Sequence, residues 1–336
     1  MLPNWLYGKS KSKLQEILGG GGGGTNYTAG NGIDISNGVI SFDPETTPAI
    51  DPSKIDGLDD NLAALAPKSA ISNLNLLDNP WFTVNQRGQS SYTASNYTLD
   101  RWLIYSNDTT KKITVSNGVT FDSGFSGRFY QTLEDDMIAT LMGKTVTISV
   151  LLSNGTIISS NIELPSTTPS EAESFGNKQI SEQCYVRMYF TGTKWQFDIH
   201  TWGIAMPASL SIRAVKLELG SVSTLAMDAA PNYATELAKC QRYFYKTLQF
   251  NNNGAIMSPN QCVAVATTRL QGIKFPTQMR DNPNITINKV VELDSSTPIT
   301  GVTAQQNTKE GITYFSIAGA TVGSLYVVDF EASAEF

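Results

Sequence analysis

From residue 74 to the end of the chain, apolar and polar side chains alternate with a period of two. Residues 144–150, 209–217 and 284–291 carry the pattern most cleanly, and 261–270, 285–293, 312–317 and 324–332 make a second set. A strand sends successive side chains to opposite faces, so this alternation predicts antiparallel sheets with one face in a core. Turn-forming clusters separate the runs. The expected fold is therefore mainly β, with two antiparallel, jelly-roll-like β-sandwich domains at 74–230 and 231–336. Helical spacing interrupts the strands at 232–245, where Leu237, Cys240, Gln241 and Phe244 fall at i, i+3, i+4 and i+7. That spacing predicts a linker helix between the sandwiches.

The first 73 residues follow other rhythms. Trp5, Leu6 and Tyr7 precede Lys9, Lys11 and Lys13, and then Leu14, Ile17 and Leu18 share one face of a short helix. So short a helix needs a surface to dock against. Residues 19–24 are six glycines, a flexible tether with an r.m.s. span of about 14 Å. In 25–52, Ile33 and Ile35 alternate with polar residues, Asn37-Gly38 offers a tight turn, and Ile40 and Phe42 resume the alternation before Pro44, Pro48 and Pro52. This predicts a β-hairpin that cannot be stable alone, followed by a stiff linker. In 53–73, Ile55, Leu58, Leu62 and Leu65 are spaced 3, 4 and 3, the a/d seam of a coiled coil.

Composition narrows the function classes. Charged residues are 16% of the 336, below the roughly 25% usual for soluble domains, so the surface is neutral and polar. The net charge of −6 and the lack of a basic stripe exclude phosphate-backbone binding, and no nucleic-acid partner is expected. No apolar run reaches the roughly 18 residues of a membrane span, so membrane insertion is not expected. Cys184, Cys240 and Cys262 lie far apart and are odd in number, which predicts buried thiols rather than a disulfide scaffold.

Catalytic constellations are hard to assemble. His200 is the sole histidine, and no G-x-S-x-G elbow occurs. Glu134, Asp135, Asp136, Glu171 and Glu173 could serve a glycosidase by type, yet all fall in polar, turn-like segments where solvated surface is the expectation. The glycine run contains G-x-G-x-x-G without a preceding strand, which removes its dinucleotide meaning.

A binding face is easier to argue. In 183–202, Val186, Met188, Phe190, Trp195, Phe197 and Ile199 form one alternating set. If that set packs inward, Tyr185, Arg187, Tyr189, Gln196, Asp198, His200 and Trp202 face outward together. Sugar sites need that mix, flat rings against C–H faces and fixed hydrogen-bonding groups for hydroxyls. These residues are the candidate glycan-binding set. Trp81 and Trp102 are expected in the core, and Arg87 and Arg101 are expected to pair with Asp78 or Asp100.

A family resemblance accompanies these readings. The stretch Leu76-Leu-Asp-Asn-Pro-Trp-Phe-Thr-Val-Asn-Gln-Arg-Gly88 is closed by Asp100-Arg-Trp102. Then follow Gln131-Thr-Leu-Glu134, the run 141–149, Lys216-Leu-Glu-Leu-Gly-Ser221, Lys239-Cys-Gln-Arg-Tyr-Phe244 and a last echo at 273–283. In order and spacing these resemble the carbohydrate-module-like sandwiches of bacteriophage tail and head fibres, over roughly residues 74–336. The resemblance implies a non-catalytic structural protein of the virion, assembled in the bacterial cytoplasm and mediating attachment to a host-surface glycan, with no cofactor. It also implies a homotrimer held at the Ile55, Leu58, Leu62 and Leu65 seam. Residues 1–18 would anchor it to a portal, collar, tail or capsid protein through Trp5, Leu6, Tyr7, Leu14, Ile17 and Leu18. A polysaccharide-degrading tail enzyme and a purely structural virion connector are the alternatives.

Overall fold

The computed structural model describes residues 33–36, 39–42, 72–93, 96–106, 108, 110–247, 261–293 and 298–336. The chain divides into two units, 1–67 and 68–336. In the first, β1 (Ile33–Ser36) and β2 (Val39–Phe42) pair antiparallel, with Ser36 opposite Val39. That register leaves two residues between the strands, and the expected turn at Asn37-Gly38 lies outside the described residues. The anchor residues Trp5, Leu6, Tyr7, Leu14, Ile17 and Leu18, the glycine tether, and the seam residues Ile55, Leu58, Leu62 and Leu65 lie outside the described residues.

The second unit begins with β3 (Ser91–Thr93), β4 (Asn96–Tyr97), β5 (Leu103–Ser106), β6 (Lys112–Val115), β7 (Val119–Phe121) and β8 (Gly127–Thr132). Helix α1 (Asp135–Leu141) follows. Then come β9 (Thr145–Leu152), β10 (Ile157–Glu163), β11 (Glu173–Ser181), β12 (Cys184–Phe190), β13 (Trp195–His200) and β14 (Leu210–Leu219). These strands build two six-stranded antiparallel sheets, ordered β10-β9-β14-β7-β6-β3 and β11-β12-β13-β8-β5-β4. The inner faces enclose one apolar core in which Trp102 stacks on Phe129 at 4.9 Å and meets Phe197 edge-on at 6.1 Å. The alternation of 144–150 and 209–217 thus folds as a sandwich.

Helix α1 corrects the turn-like reading of 134–136. Ile138 and Leu141, one helical turn apart, insert into the core, and Asp135 and Asp136 sit in the first turn, where the helix dipole favours negative charge. Trp102 is buried as expected, whereas Trp81 is half-buried under the Arg213 guanidinium.

Helix α2 (Tyr233–Gln241) links this sandwich to the next, capped by Asn232, whose side chain accepts from the Ala234 and Thr235 amides. It ends before Phe244, which starts β15 (Phe244–Lys246). The remaining strands are β16 (Gln261–Ala266), β17 (Arg269–Lys274), β18 (Asn284–Glu292), β19 (Thr303–Thr308), β20 (Gly311–Ser316) and β21 (Leu325–Ser333). Residues 261–270, expected as one strand, divide between β16 and β17 at a tight turn. Strand β16 also changes partner along its length: Gln261 to Val263 pair with β21, and Ala264 and Ala266 pair with β17. Such a switch folds the seven hydrogen-bonded strands over their own core around Phe315, Phe330 and Tyr326.

The residues behind the family resemblance do structural work. Asn79 ties its stretch together: its side chain donates to the Val84 and Asp100 carbonyls and accepts from the Val84 amide. Its carbonyl receives the Trp102 indole N–H, and its amide donates to Glu236 on α2. Lys216 and Glu218 are wholly buried; the Lys216 ammonium donates to Asp228, Ser72 and Thr224, and Glu218 accepts from the Thr224 amide. The three cysteines are all buried. Burial pushes the Cys184 and Cys262 thiols up to about 12, which leaves them unreactive.

Candidate functional site

Strands β12 and β13 form a hairpin that pairs Arg187 with Asp198 and Tyr185 with His200. On its other side β13 pairs with β8, setting Tyr130 opposite Asp198 and Arg128 opposite His200. The inward set is as expected: Val186, Met188, Phe190, Trp195, Phe197 and Ile199 all lie in the core.

The outward set corrects the expected exposure. Arg187, Gln196, Asp198 and His200 are buried, Tyr185 and Tyr189 are partly buried, and Trp202 alone of the seven is exposed, at 53%. Among the described residues no additional strand covers this face; neighbouring side chains do. The Asp198 carboxylate accepts from Arg128 Nε at 3.1 Å and from Arg187 Nε at 2.8 Å. The second nitrogen of each fork approaches it at 3.0 Å and 2.8 Å. Arg187 lies over the rings of Tyr189 (4.1 Å) and Trp202 (4.8 Å), and Arg128 lies over those of Tyr189 (4.7 Å) and Tyr130 (4.8 Å). Two guanidinium planes thus roof one carboxylate and are themselves held by aromatic faces. Burial pushes the Asp198 carboxyl up, and the two arginines pull against it.

Strand β11 completes the layer. Its register slips between Phe175 and Lys178, and the bulge contains Gly176 at φ +65°, where a Cβ would meet Ile162 at 2.1 Å. From this strand Ser174 accepts from Arg187 Nη1 at 2.7 Å, and Asn177 Oδ1 meets His200 Nε2 at 2.8 Å. The amide oxygen can only accept, so Nε2 carries the proton and Nδ1 presents a lone pair. That buried Nδ1 has no partner among the described residues. Burial, with Arg187 and Arg128 adding to it, drives the His200 pKa down to about 3. The ring is therefore neutral at physiological pH and a weak base.

Beside this layer lies a cleft of about 260 Å³ lined by Tyr105, Ser126, Gly127, Arg128, Arg187, His200, Trp202 and Gly203. Gly127 admits the close passage of β8 past β5, since a Cβ there would lie 2.3 Å from the Tyr105 carbonyl oxygen. Tyr105, 48% exposed, and Trp202 supply the rings. Trp202 holds φ +55° and Gly203 φ +75° in a turn closed by the Ile204 amide on the Thr201 carbonyl. A bulky residue in the left-handed region costs on the order of 1–3 kcal/mol, a strain that concentrates at binding sites.

Sequence reasoning missed Arg128, Tyr130 and Tyr105, and Ser174 and Asn177. Strand β8 carried a signal, because Arg128 and Tyr130 alternate with the core residue Phe129. Its pairing with β13 was not inferable from spacing. Of the other expected pairs, Arg101 meets Asp78 at 3.0 Å, but Arg87 pairs with Glu335 rather than with Asp78 or Asp100. Among the described residues no cluster of His, Cys, Asp and Glu could hold a metal ion, and no helix is long and apolar enough to cross a membrane. No protein-family model, no curated protein and no solved structure matches this chain.

Proposed function

We propose that this chain is a non-catalytic attachment protein of a bacteriophage appendage, holding a host-surface glycan in the cleft beside β13. The observation that carries the reading is the cleft's composition: two exposed rings, Tyr105 and Trp202, flank hydrogen-bonding groups fixed by the Asp198 layer. Trp202, edge-on to His200 and under the Arg187 guanidinium, is held before binding and loses little freedom when a sugar face stacks on it. The left-handed backbone at Trp202 supports the same reading, since such strain concentrates at binding sites. Among the described residues, the cleft lining includes no carboxylate, and two-carboxylate hydrolysis would need a pair there. The proposed protein is a homotrimer joined along Ile55, Leu58, Leu62 and Leu65, with residues 1–18 docking it on a portal, collar, tail or capsid protein.

The test is Trp202→Asn in the full chain, probed on an array of bacterial surface oligosaccharides. Asparagine accepts the left-handed backbone, so the melting temperature should stay within a few degrees while glycan binding falls by about tenfold or more. Unchanged binding would remove the cleft from the attachment reading, and a collapse of stability would make Trp202 a packing residue. Assembly is checked separately. Leu58→Asp with Leu62→Asp should convert trimers to monomers in sedimentation, because the seam would have to desolvate charge; wild-type protein sedimenting as a monomer at micromolar concentration would refute the trimer.

A further inference from the structure

The cleft has a charge imbalance that its internal pairing does not remove. Arg128 and Arg187 bring two positive charges to a layer whose one carboxylate is Asp198. If the buried carboxyl holds its proton the excess grows, and His200 stays neutral either way. The two arginines are not equally committed. Arg187 is 6% exposed in its side chain and spends Nε and Nη2 on Asp198 and Nη1 on Ser174. Arg128 is 24% exposed, and its Nε and Nη2 serve Asp198 and Gln196. Its Nη1 has no partner among the described residues, and the residue lines the cleft. The site thus holds a fixed cation with one unspent corner, close to two exposed rings.

We propose that the ligand of this cleft is an acidic saccharide, a sugar ring bearing a carboxylate or phosphate, with Trp202 against the ring and Arg128 Nη1 donating to the anion. The inference rests on the glycan-attachment reading and specifies its substrate class. The cleft has room for about one monosaccharide unit, so ring and anion must belong to the same or adjoining residues. Arg128 is positioned for this because Asp198 fixes one edge of its guanidinium and Tyr130 and Tyr189 hold its plane. An anion at Nη1 would neutralise the excess charge without displacing Asp198. Neutral sugars would keep the stacking contact and lose the charged hydrogen bond.

The experiment titrates the full chain with three probes: a glucuronic-acid oligosaccharide, the same oligosaccharide with its carboxyls reduced to alcohols, and a sugar phosphate. The expected result is about tenfold tighter binding of the uronic acid than of its reduced form, with the ratio shrinking as salt rises. Preference for the phosphate over the uronic acid would keep the acidic class and assign its source. Arg128→Gln should bring the ratio of acidic to reduced binding close to one, because the charged donor is gone, whatever the variant does to binding of the neutral form. If that variant does not fold, the acid-to-neutral ratio of the unmutated chain decides. Equal binding of acidic and reduced forms, lost together in Trp202→Asn, would overturn the acidic-ligand inference and leave the glycan reading standing. Binding of no saccharide would overturn both.

Discussion

Replacing Asp198 by alanine is expected to lower the stability of the 74–230 sandwich by about 3–5 kcal/mol, the range for removing one member of a buried ion cluster. The carboxylate is wholly buried, and both arginines that lean on it would be left to share Gln196, Ser174 and aromatic faces. Two like charges would then face each other across β13 with the countercharge gone. For a domain of this size the loss corresponds to a fall of roughly 10 °C in melting temperature. Asp198→Asn should cost less, since its amide oxygen still accepts from one guanidinium. The decisive comparison joins Asp198→Leu to Arg128→Met and Arg187→Met, which removes the whole cluster. If desolvated charge is the cause, the triple variant recovers most of the stability that Asp198→Ala loses. A loss below about 1 kcal/mol in Asp198→Ala on urea titration would show that the arginines do not depend on the carboxylate.

The contrast between β12–β13 and its covering layer shows what a sequence can and cannot carry. Alternation sorted the two runs of six strand positions, Tyr185 to Phe190 and Trp195 to His200, correctly into two faces, because side-chain direction in a strand is a local property. It could not say that the second face would be buried. That outcome depends on Arg128, brought in by the β8–β13 ladder from 70 residues upstream, and on the β11 bulge that presents Ser174 and Asn177. The same limit explains α1, whose seven residues bury only Ile138 and Leu141, too short a stripe to separate from a turn. It also explains the partner of Arg87, which is 248 residues away in sequence. Where a residue's role rests on its own neighbours, as for Asn232, which caps the helix that the 232–245 spacing predicts, the sequence carries the signal. Where it rests on strand register, only the fold supplied it. Residues behind the family resemblance fall in the second class: Asn79, Lys216 and Glu218 are polar, yet each is buried to hold segments together.

Raising the pH from 5 to 8 is expected to destabilise the 68–336 unit, through a carboxyl near the end of β21. Glu335 is pushed up to about 7 from an ordinary value of 4.5, chiefly by burial; Arg87 opposes the shift and Asp100 adds to it. Its Oε2 pairs with Arg87 Nη2, whose guanidinium lies 3.8 Å over the Phe244 ring. Among the described residues, Glu335 Oε1 and Arg87 Nη1 are buried without partners. Arg87 belongs to the first sandwich and Glu335 to the second, so the pair sits where Gln86 also donates to the Phe244 carbonyl and Tyr97 to that of Phe336. Because the folded pKa lies above the unfolded one, the folded chain keeps a proton between about pH 4.5 and 7 that the unfolded chain has released. The stabilisation is whole below the unfolded pKa and is lost as pH rises through the folded one, a change on the order of 3 kcal/mol. Glu335→Gln keeps the shape and cannot ionise, so it should flatten this part of the pH profile and be more stable than the parent chain at pH 8. Urea midpoints across pH 5–8 measure both. A parallel decline in the parent and the variant would assign the pH dependence to other groups, with Asp100, also pushed up by burial, the next to replace.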